Sequence, residues 1–374
     1  MPGDKTSVSR RKMLATLGSA SAVGLAGCSG GNGSGSDGGD GGSSGGDGGS
    51  GGEGTQTKTP VEYPTKDVQL TVPYATGGGF DAYARLSKPY WQQYLPNEPT
   101  VTVKNVEGGG GVKGATQTYA AKPDGYNFMI WDAVQAVTQQ IGRNVGYDIS
   151  EMSHIGALTQ APNCLISMKD SGIKSWDDLV ENIGDVNFAT QGVGAISHVG
   201  VVLLGELTGA WTVDDINFVH YGGTGPALSG LKRGEAQVFV PGTATSGLKV
   251  VSALDAEMTI LFSEEVGEDS IYSGVPLQYS ANLDVENIDQ YAELTVFRRF
   301  FTGPPEVPEE ILSVQRDAFG KIVEDEEFLQ TAEEKGRPIV NPGTADEVSN
   351  VLEKQFETFG SDPLKGIIQS AFQS

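Results

Sequence analysis

The sequence predicts an α/β protein built on two sheets of parallel strands. Beyond about residue 60, short runs rich in β-branched and aromatic residues alternate with longer amphipathic stretches of helical period. A first series of this kind runs to about residue 131, and a similar series begins near residue 175. Parallel strands need a crossover between them, usually a helix, so the alternation favours a parallel sheet in each half. A chain of 374 residues is also too long for one compact core.

The elements follow from local turn and stop signals. Pro96 ends the first helix, and Pro-Asp-Gly at 123–125 is a turn sequence before the third strand. Strands are predicted at 68–74, 100–105, 127–131, 187–190, 216–221 and 237–240. Helices are predicted at 80–95, 113–121, 175–182, 197–208, 226–233, 308–324, 326–335 and 344–359.

Residues 1–27 have the features of an export signal. Arg10 and Arg11 form a twin-arginine start, and the apolar stretch 15–26 is too short and too rich in Gly, Ala and Ser to span a bilayer. The stretch ends in Leu-Ala-Gly before Cys28, which is typical of a lipobox. We therefore predict twin-arginine export, lipidation of Cys28 and a position on the outer face of the cell membrane.

A low-complexity tether follows the predicted signal, and the chain has one further cysteine. Residues 28–59 consist mostly of Gly, Ser and Asp, a composition that buries too little apolar surface to fold. The predicted tether reaches roughly 30 Å. With Cys28 lipidated, Cys164 has no disulfide partner, and its apolar surroundings in the sequence predict a small buried residue.

The charge excludes some partners. The chain has 25 basic and 48 acidic residues and a formal net charge of −23. Nucleic acid and anionic membrane surfaces are poor partners for such a surface. Binding of cations or basic ligands is one reading of the acidity. We favour the other, a halophile-like surface that stays hydrated and dispersed at high salt.

Three strand-to-helix junctions are rich in glycine. They are residues 74–81, 190–197 and 221–226. Open α/β sheets bind ligands beyond the carboxyl ends of their strands, where such loops lie. Glycine allows close approach of the backbone, and a helix start offers N–H groups that favour an anion. The three loops therefore predict an anion site, although glycine-rich turns are also common in α/β proteins without one.

Enzyme motifs give little support to catalysis. The sequence has no G-x-S-x-G elbow and no phosphate-binding G-x-x-x-x-G-K-[ST] loop. His154, His198 and His220 lack metal-ligand spacing, so neither a metal nor another cofactor is expected. An anchored surface hydrolase remains a minor alternative, as does a structural or signalling surface protein that binds no small molecule.

Several segments together resemble one family of receptors. They are Leu-Thr-Val-Pro-Tyr-Ala-Thr-Gly-Gly-Gly-Phe-Asp at 70–81, Ala-Lys-Pro-Asp-Gly-Tyr at 121–126, Phe-Ala-Thr-Gln-Gly-Val-Gly at 188–194 and Val-His-Tyr-Gly-Gly-Thr-Gly-Pro-Ala-Leu at 219–228. In this order and spacing they are similar to the tripartite tricarboxylate transporter receptors, the Bug family. The resemblance extends over almost all of 63–374.

The resemblance implies a two-lobe periplasmic-binding-protein fold of type II, a Venus flytrap with the ligand cleft between the lobes. The first lobe would comprise 60–163 and 297–374, and the second 164–296. The ligand would be a small di- or tricarboxylate, passed to the large and small permease components of an ion-gradient-driven transporter. A receptor of another transporter class is the main alternative. The implied ligand contacts are Thr76, Gly77, Gly78, Gly79, Asp81, Thr190, Gln191, Gly192, Gly194, Ser197, Tyr221, Gly223 and Thr224.

Some positions depart from the family pattern. Ala195 and Ile196 occupy positions where the family often has Ser or Thr, which moves the expected hydroxyl donor to Ser197. Gln237 and Pro241 occupy positions where the family often has a different residue. The glycine loops contain no Lys or Arg, and Arg85 lies more than a turn beyond its helix start. We therefore expect backbone N–H groups and helix dipoles, not a cationic side chain, to hold the ligand charge.

Overall fold

The computed structural model describes residues 62–265, 270–272 and 278–373. The predicted signal peptide, the lipidated Cys28 and the tether lie outside these ranges. The strands are β1 (Val68–Val72), β2 (Val101–Asn105), β3 (Asn127–Asp132), β4 (Met152–Ala161), β5 (Cys164–Met168), β6 (Asn187–Thr190), β7 (Asn217–His220), β8 (Val238–Phe239), β9 (Ala256–Leu261), β10 (Gln278–Tyr279), β11 (Phe297–Pro305) and β12 (Gly343–Thr344).

The helices alternate with the strands through most of the chain. They are α1 (Gly79–Tyr94), α2 (Val112–Tyr119), α3 (Ala133–Gly142), α4 (Trp176–Glu181), α5 (Ile196–Thr208), α6 (Thr224–Lys232), α7 (Ala244–Ala253), α8 (Ile288–Leu294), α9 (Glu309–Glu324), α10 (Glu326–Glu334), α11 (Ala345–Phe359) and α12 (Leu364–Ala371). None of these helices is both long and apolar enough to cross a membrane.

The described elements form two six-stranded sheets. The first has the order β12-β4-β11-β3-β1-β2, and the second has the order β10-β9-β5-β8-β6-β7. Strands β2, β1 and β3 are parallel, as are β7, β6 and β8. However, β11 runs antiparallel to both β3 and β4, and β5 runs antiparallel to both β8 and β9. Both sheets are therefore mixed, and the prediction of parallel sheets was wrong for three of the five strand pairs in the first sheet and two of the five in the second.

Each sheet with its helices forms one lobe of a two-lobe α/β architecture. We call the lobe of the first sheet lobe 1 and that of the second sheet lobe 2. The chain passes from lobe 1 to lobe 2 between β4 and β5, and it returns between α8 and β11. The reversed directions of β5 and β11 result from this path, because both strands enter their sheets directly from the other lobe.

The core of lobe 1 is aromatic. The Trp91 side chain of α1 is fully buried, with ring centroids 5.0 Å from Phe128, 5.3 Å from Phe301 and 6.1 Å from Phe319. In lobe 2, Cys164 is also fully buried, and burial raises the pKa of its thiol. The expectation of a small buried cysteine is confirmed.

The last helix, α12, packs against both lobes. It contacts α3 and α11 of lobe 1 and α5 of lobe 2. Phe372, just beyond it, lies against two glycines, one from each lobe. A Cβ on Gly142 would lie 2.0 Å from the Phe372 ring, and one on Gly194 would lie 2.4 Å from it. The aromatic ring therefore closes one side of the seam between the lobes.

Candidate functional site

Loops at the carboxyl ends of parallel strands from the two lobes face each other. A Cβ on Gly78 of lobe 1 would lie 3.5 Å from Thr224 Oγ1 of lobe 2. A Cβ on Gly223 of lobe 2 would lie 3.3 Å from the Cβ of Ala75 in lobe 1. The first and third predicted glycine loops are thus in contact across the seam, the place where open α/β sheets bind ligands.

A second contact across the seam involves a glycine that the sequence analysis did not single out. Gly110, in the loop between β2 and α2, has a φ of 62°. A Cβ there would lie 2.6 Å from the carbonyl oxygen of Val193 and 3.2 Å from the amide nitrogen of Ala195, both in lobe 2. The Gly110 carbonyl accepts hydrogen bonds from Tyr74 Oη (2.9 Å) and Gln139 Nε2 (3.2 Å). Only a residue without a side chain fits this position.

In the first loop, Asp81 organises the backbone. Its carboxylate accepts hydrogen bonds from Gly77 N (2.9 Å) and Arg85 Nε (2.9 Å). Burial favours a higher pKa for Asp81, but the hydrogen bonds from Arg85 and Gly77 outweigh it and hold the pKa below its usual range. Thr76 and Gly77 are exposed at the loop tip, and Gly78 is buried. The Asp81 carboxylate is therefore already engaged within its own loop.

In lobe 2, polar side chains tie the second and third loops together. Thr190 Oγ1 lies 2.7 Å from His220 Nδ1. Gln191 donates through its backbone N–H to Ser197 Oγ (2.8 Å) and through Nε2 to Thr224 Oγ1 (2.8 Å). These hydrogen bonds make the second and third loops one rigid surface opposite lobe 1.

Three glycines of this surface have left-handed backbone angles. The φ values are 130° at Gly192, 78° at Gly194 and 150° at Gly223. Tyr221, by contrast, points its side chain away from the seam, because its hydroxyl donates to Glu235 Oε2 at 2.9 Å. Tyr221 can therefore offer its backbone, and not its hydroxyl, to a ligand at the seam.

The departures from the family pattern fall in different places. Ala195 and Ile196 begin α5 and are fully buried, and Ile196 packs near Gly242. Pro241 follows β8 at the seam end of the sheet. Gln237 precedes β8 and bonds Asn187 N at 2.9 Å, at the opposite end of the sheet. The first three lie close enough to the loops to affect ligand choice, whereas Gln237 does not.

A pair of buried arginines is the main feature that the sequence analysis missed. Arg299, on β11 of lobe 1, is only 2% exposed, and burial lowers its pKa to about 10. A Cβ on Gly79 would lie 3.0 Å from Arg299 Nη2 and 3.1 Å from Ser246 Oγ. Arg337 Nη1 donates to the same Ser246 Oγ at 3.2 Å. The signal in the sequence was weak: Arg299 follows Arg298 within an otherwise mostly apolar strand, and Arg337 lies in no predicted element.

The outer side of Arg337 lines a basic pocket at the seam. This pocket of about 390 Å³ is lined by Arg85, Lys249, Lys335 and Arg337, together with Ala82 and Leu86. Lys249 Nζ donates to the Lys335 carbonyl at 2.6 Å, which joins α7 of lobe 2 to lobe 1. In a chain with a net charge of −23, this is a local region of positive potential. The described residues contain no cluster of three or more metal-ligating side chains.

His198 gives the seam a predicted pH dependence. Its Nδ1 accepts a hydrogen bond from Gly194 N (3.0 Å), which requires an unprotonated nitrogen. Burial, then the nearby His220 and Arg143, lower the pKa of His198 to about 3. The stability that unprotonated His198 contributes is therefore fully present above about pH 6.5, the pKa of a histidine in the unfolded chain. It is lost as the pH falls toward 3.

We expect His198→Asn, which keeps an acceptor near the Nδ1 position, to lose less stability than the wild type between pH 7 and pH 5. Urea unfolding of both proteins across this range measures the difference. His154 and Asp132 also have shifted pKa values, about 4 and about 7, but they are common to both proteins. Parallel pH profiles would contradict this role of His198.

Comparisons with known proteins agree with this architecture. A family model described as "Tripartite tricarboxylate transporter family receptor" matches residues 96–356. The UPF0065 protein in the TAR-I ttuE-ttuC' intergenic region of Agrobacterium vitis is 32% identical over 193 residues, which are 50% of this chain and 54% of that protein. Protein BugT of Bordetella pertussis is 30% identical over 46% of this chain and 53% of its own length. The chain thus spans about half the length of these curated relatives.

Solved structures share the fold at low sequence identity. MatC from Rhodopseudomonas palustris, with bound malate, has a TM-score of 0.70 at 17% identity and covers 82% of this chain and 100% of its own. A second R. palustris protein, with adipate, has a TM-score of 0.65 at 20% identity, covering 83% and 98%. The expected periplasmic-binding-protein fold with two lobes is confirmed.

Proposed function

This chain belongs to the tripartite tricarboxylate transporter receptor family, and on that premise we propose that it captures a small carboxylate outside the cytoplasm for a membrane transporter. The family and fold are those of binding proteins. In our proposal the protein makes and breaks no covalent bond. It delivers a di- or tricarboxylate, or a related organic acid, to the large and small permease components of an ion-gradient-driven transporter.

The observation that carries this proposal is the meeting of glycine loops from both lobes. Gly78 faces Thr224, and Gly110 faces Val193, at distances that leave no room for a side chain at Gly110. Backbone this close to a seam offers N–H groups to a ligand held between the lobes. The contacts proposed for the ligand are the thirteen named from the family resemblance, with Asp81 and Tyr221 serving through the loop backbone that they support.

Binding in this scheme is coupled to closure. A ligand that contacts both lobes stabilises the closed arrangement by its difference in affinity between the two states. Malate and adipate are the ligands of two proteins of the same fold, which supports a carboxylate ligand here. A receptor of another transporter class, the main alternative, would also close on binding but would bind a different ligand.

The proposal is tested by identifying a ligand and measuring closure. The purified protein is denatured, released acids are identified, and these acids with malate, adipate and citrate are titrated into refolded protein. An acid at about 100 times its dissociation constant should raise the free energy of unfolding by roughly 2.7 kcal/mol. X-ray scattering should show a smaller radius of gyration with the acid. Chemical conversion of the bound acid would favour the hydrolase alternative, and no stabilisation by any acid would favour a structural role.

We also propose that the receptor is a lipoprotein on the outer face of the membrane, exported by the twin-arginine route. The support is the order of signals in residues 1–59: twin arginine, short apolar stretch, lipobox-like Cys28 and tether. Cys28→Ser should move the protein from the membrane fraction to the medium or leave it unprocessed. Cys164→Ser is the matched control and should stay in the membrane fraction. Full-size mature Cys28→Ser protein in that fraction would refute the anchor.

A further inference from the structure

A buried cation stands where two helix starts from different lobes meet. α1 of lobe 1 begins at Gly79, and α7 of lobe 2 begins after its N-cap Thr243. Arg299 Nη2 and Ser246 Oγ both lie within about 3.1 Å of the Cβ position that Gly79 leaves empty. The first turns of both helices, which carry the positive ends of their dipoles, therefore lie near the Arg299 guanidinium.

The guanidinium is poorly compensated within the described residues. Its Nε and Nη1 are buried without a hydrogen-bond partner there. Its neighbours are mainly aromatic rings, with the guanidinium carbon 4.5 Å from the ring centre of Tyr83 and 4.6 Å from that of Phe297. A buried charge is costly unless it is paired and hydrogen-bonded.

The one carboxylate beside it is engaged elsewhere. Asp132 is the cross-strand neighbour of Arg299 in the β3–β11 pair, but no ion pair joins the two in the part of the chain that is described. The Asp132 carboxylate instead accepts from the backbone N–H and the side-chain amide of Gln135. Arg299 thus retains unpaired donors at Nε and Nη1, and its Nη2 lies beside Gly79 at the seam.

Ser246 is arranged to donate as well. Its Oγ accepts from Thr243 Oγ1 (2.9 Å) and from Arg337 Nη1 (3.2 Å), so its own hydroxyl hydrogen is left to point elsewhere. Arg337 is 7% exposed and brings its guanidinium to this oxygen, close to Arg299. Two arginines, a hydroxyl donor and two helix starts are the groups that bind a carboxylate or another small oxyanion.

We propose that Arg299 is the charge partner of the ligand, binding one carboxylate group at a subsite that Ser246 completes when the lobes close. This inference rests on the proposed function and replaces the expectation that no cationic side chain holds the charge. Opening the lobes removes Ser246 from the guanidinium and exposes it to an incoming anion. The basic pocket around Arg337 attracts that anion to the seam. The substrate class is a small acid with at least one ionised carboxylate that reaches β11.

The test compares charge variants of Arg299 against paired ligands. Malate, adipate and citrate are titrated into the wild type, and the monoamide of the tightest acid is titrated beside it. Arg299→Met should weaken binding of the acid at least 100-fold, and Arg299→Lys should recover part of that loss. The wild type should prefer the acid to its monoamide, and Arg299→Met should lose that preference. Loss of affinity for acid and monoamide in equal proportion would show a structural role and overturn the inference.

Three further measurements support the test. Replacement of a buried charge by an apolar side chain of similar size is often neutral or stabilising, so ligand-free Arg299→Met should unfold at or above the wild-type urea midpoint. Gly79→Ala should also weaken binding, because its Cβ displaces Nη2. Lys169→Ala removes an exposed cation, paired with Asp255 at the end of lobe 2 away from the seam, and should change affinity less than tenfold.

The outcomes distinguish the two proposals. If the wild type binds none of the acids, the proposed function fails and the role of Arg299 fails with it. If the wild type binds an acid and Arg299→Met binds it as tightly, the receptor function stands and the role of Arg299 is refuted.

Discussion

Gly110→Ala is expected to abolish tight ligand binding while leaving the two lobes folded. The added Cβ would lie 2.4 Å from Gln139 Nε2 and 2.6 Å from the Val193 carbonyl oxygen, and the latter is backbone of the opposite lobe. Gln139 belongs to the same lobe as Gly110, and the end of its flexible side chain can shift in either form. The clash with the Val193 backbone arises only when the lobes meet, so the methyl group disfavours the closed form more than the open form. We expect a loss of at least 100-fold in affinity, about 2.7 kcal/mol, and no decrease in the radius of gyration on addition of ligand.

Gly172→Ala is the matched control for backbone strain. Gly172 has a φ of 78°, and a Cβ there would meet nothing within 4 Å. It follows β5, at the end of its sheet away from the glycine loops. Both variants place alanine in the left-handed region at a cost of about 1–2 kcal/mol, but Gly172→Ala should bind the ligand normally. Equal affinities for the two variants would show that Gly110 does not lie at the closing seam.

Trp91→Ala is expected to have the largest effect on stability. Trp91 is fully buried among Phe128, Phe301 and Phe319, so truncation removes most of the centre of the lobe 1 core. Truncation of a buried aromatic residue of this size costs about 3–5 kcal/mol. Thermal unfolding should show a midpoint lowered by roughly 10 °C in the transition of lobe 1.

Trp91→Phe separates the contribution of the packed ring from that of the polar indole N–H. Trp91 Nε1 is buried and has no hydrogen-bond partner within the described ranges. Phenylalanine keeps most of the ring and removes this unsatisfied donor, which offsets part of the cavity cost. We expect a loss below about 2 kcal/mol for Trp91→Phe. A loss equal to that of Trp91→Ala would contradict this expectation and would mean that phenylalanine does not fill the space that the indole occupies.

Two of the elements predicted from the sequence match the structure closely. The predicted strand at 187–190 coincides with β6, and the predicted helix at 80–95 differs from α1 by one residue at each end. β4 and β11 were missed as strands because both lie inside their sheet and are buried on both faces, which removes the alternation that marks a strand. α3 was missed because it follows β3 without an intervening turn sequence.

The backbone loops of the site could be predicted from the sequence, but the positions of its side chains could not. The glycine loops and their order along the chain follow from local sequence, and the structure brings the first and third into contact. The direction of the Tyr221 side chain depends on Glu235, fourteen residues further along. Arg299 meets Gly79 only because β11 returns from lobe 2 into the centre of the first sheet. Local motifs carry no information about pairings at such separations.

The position of the last helix has a practical consequence for biosensor construction. Phe372 touches Gly142 in one lobe and Gly194 in the other. An environment-sensitive fluorophore attached at Gln373, the residue beside it, would therefore change its emission as the seam opens and closes. The same position is a poor choice for a bulky affinity tag, which would compete with the ring for the space between the lobes.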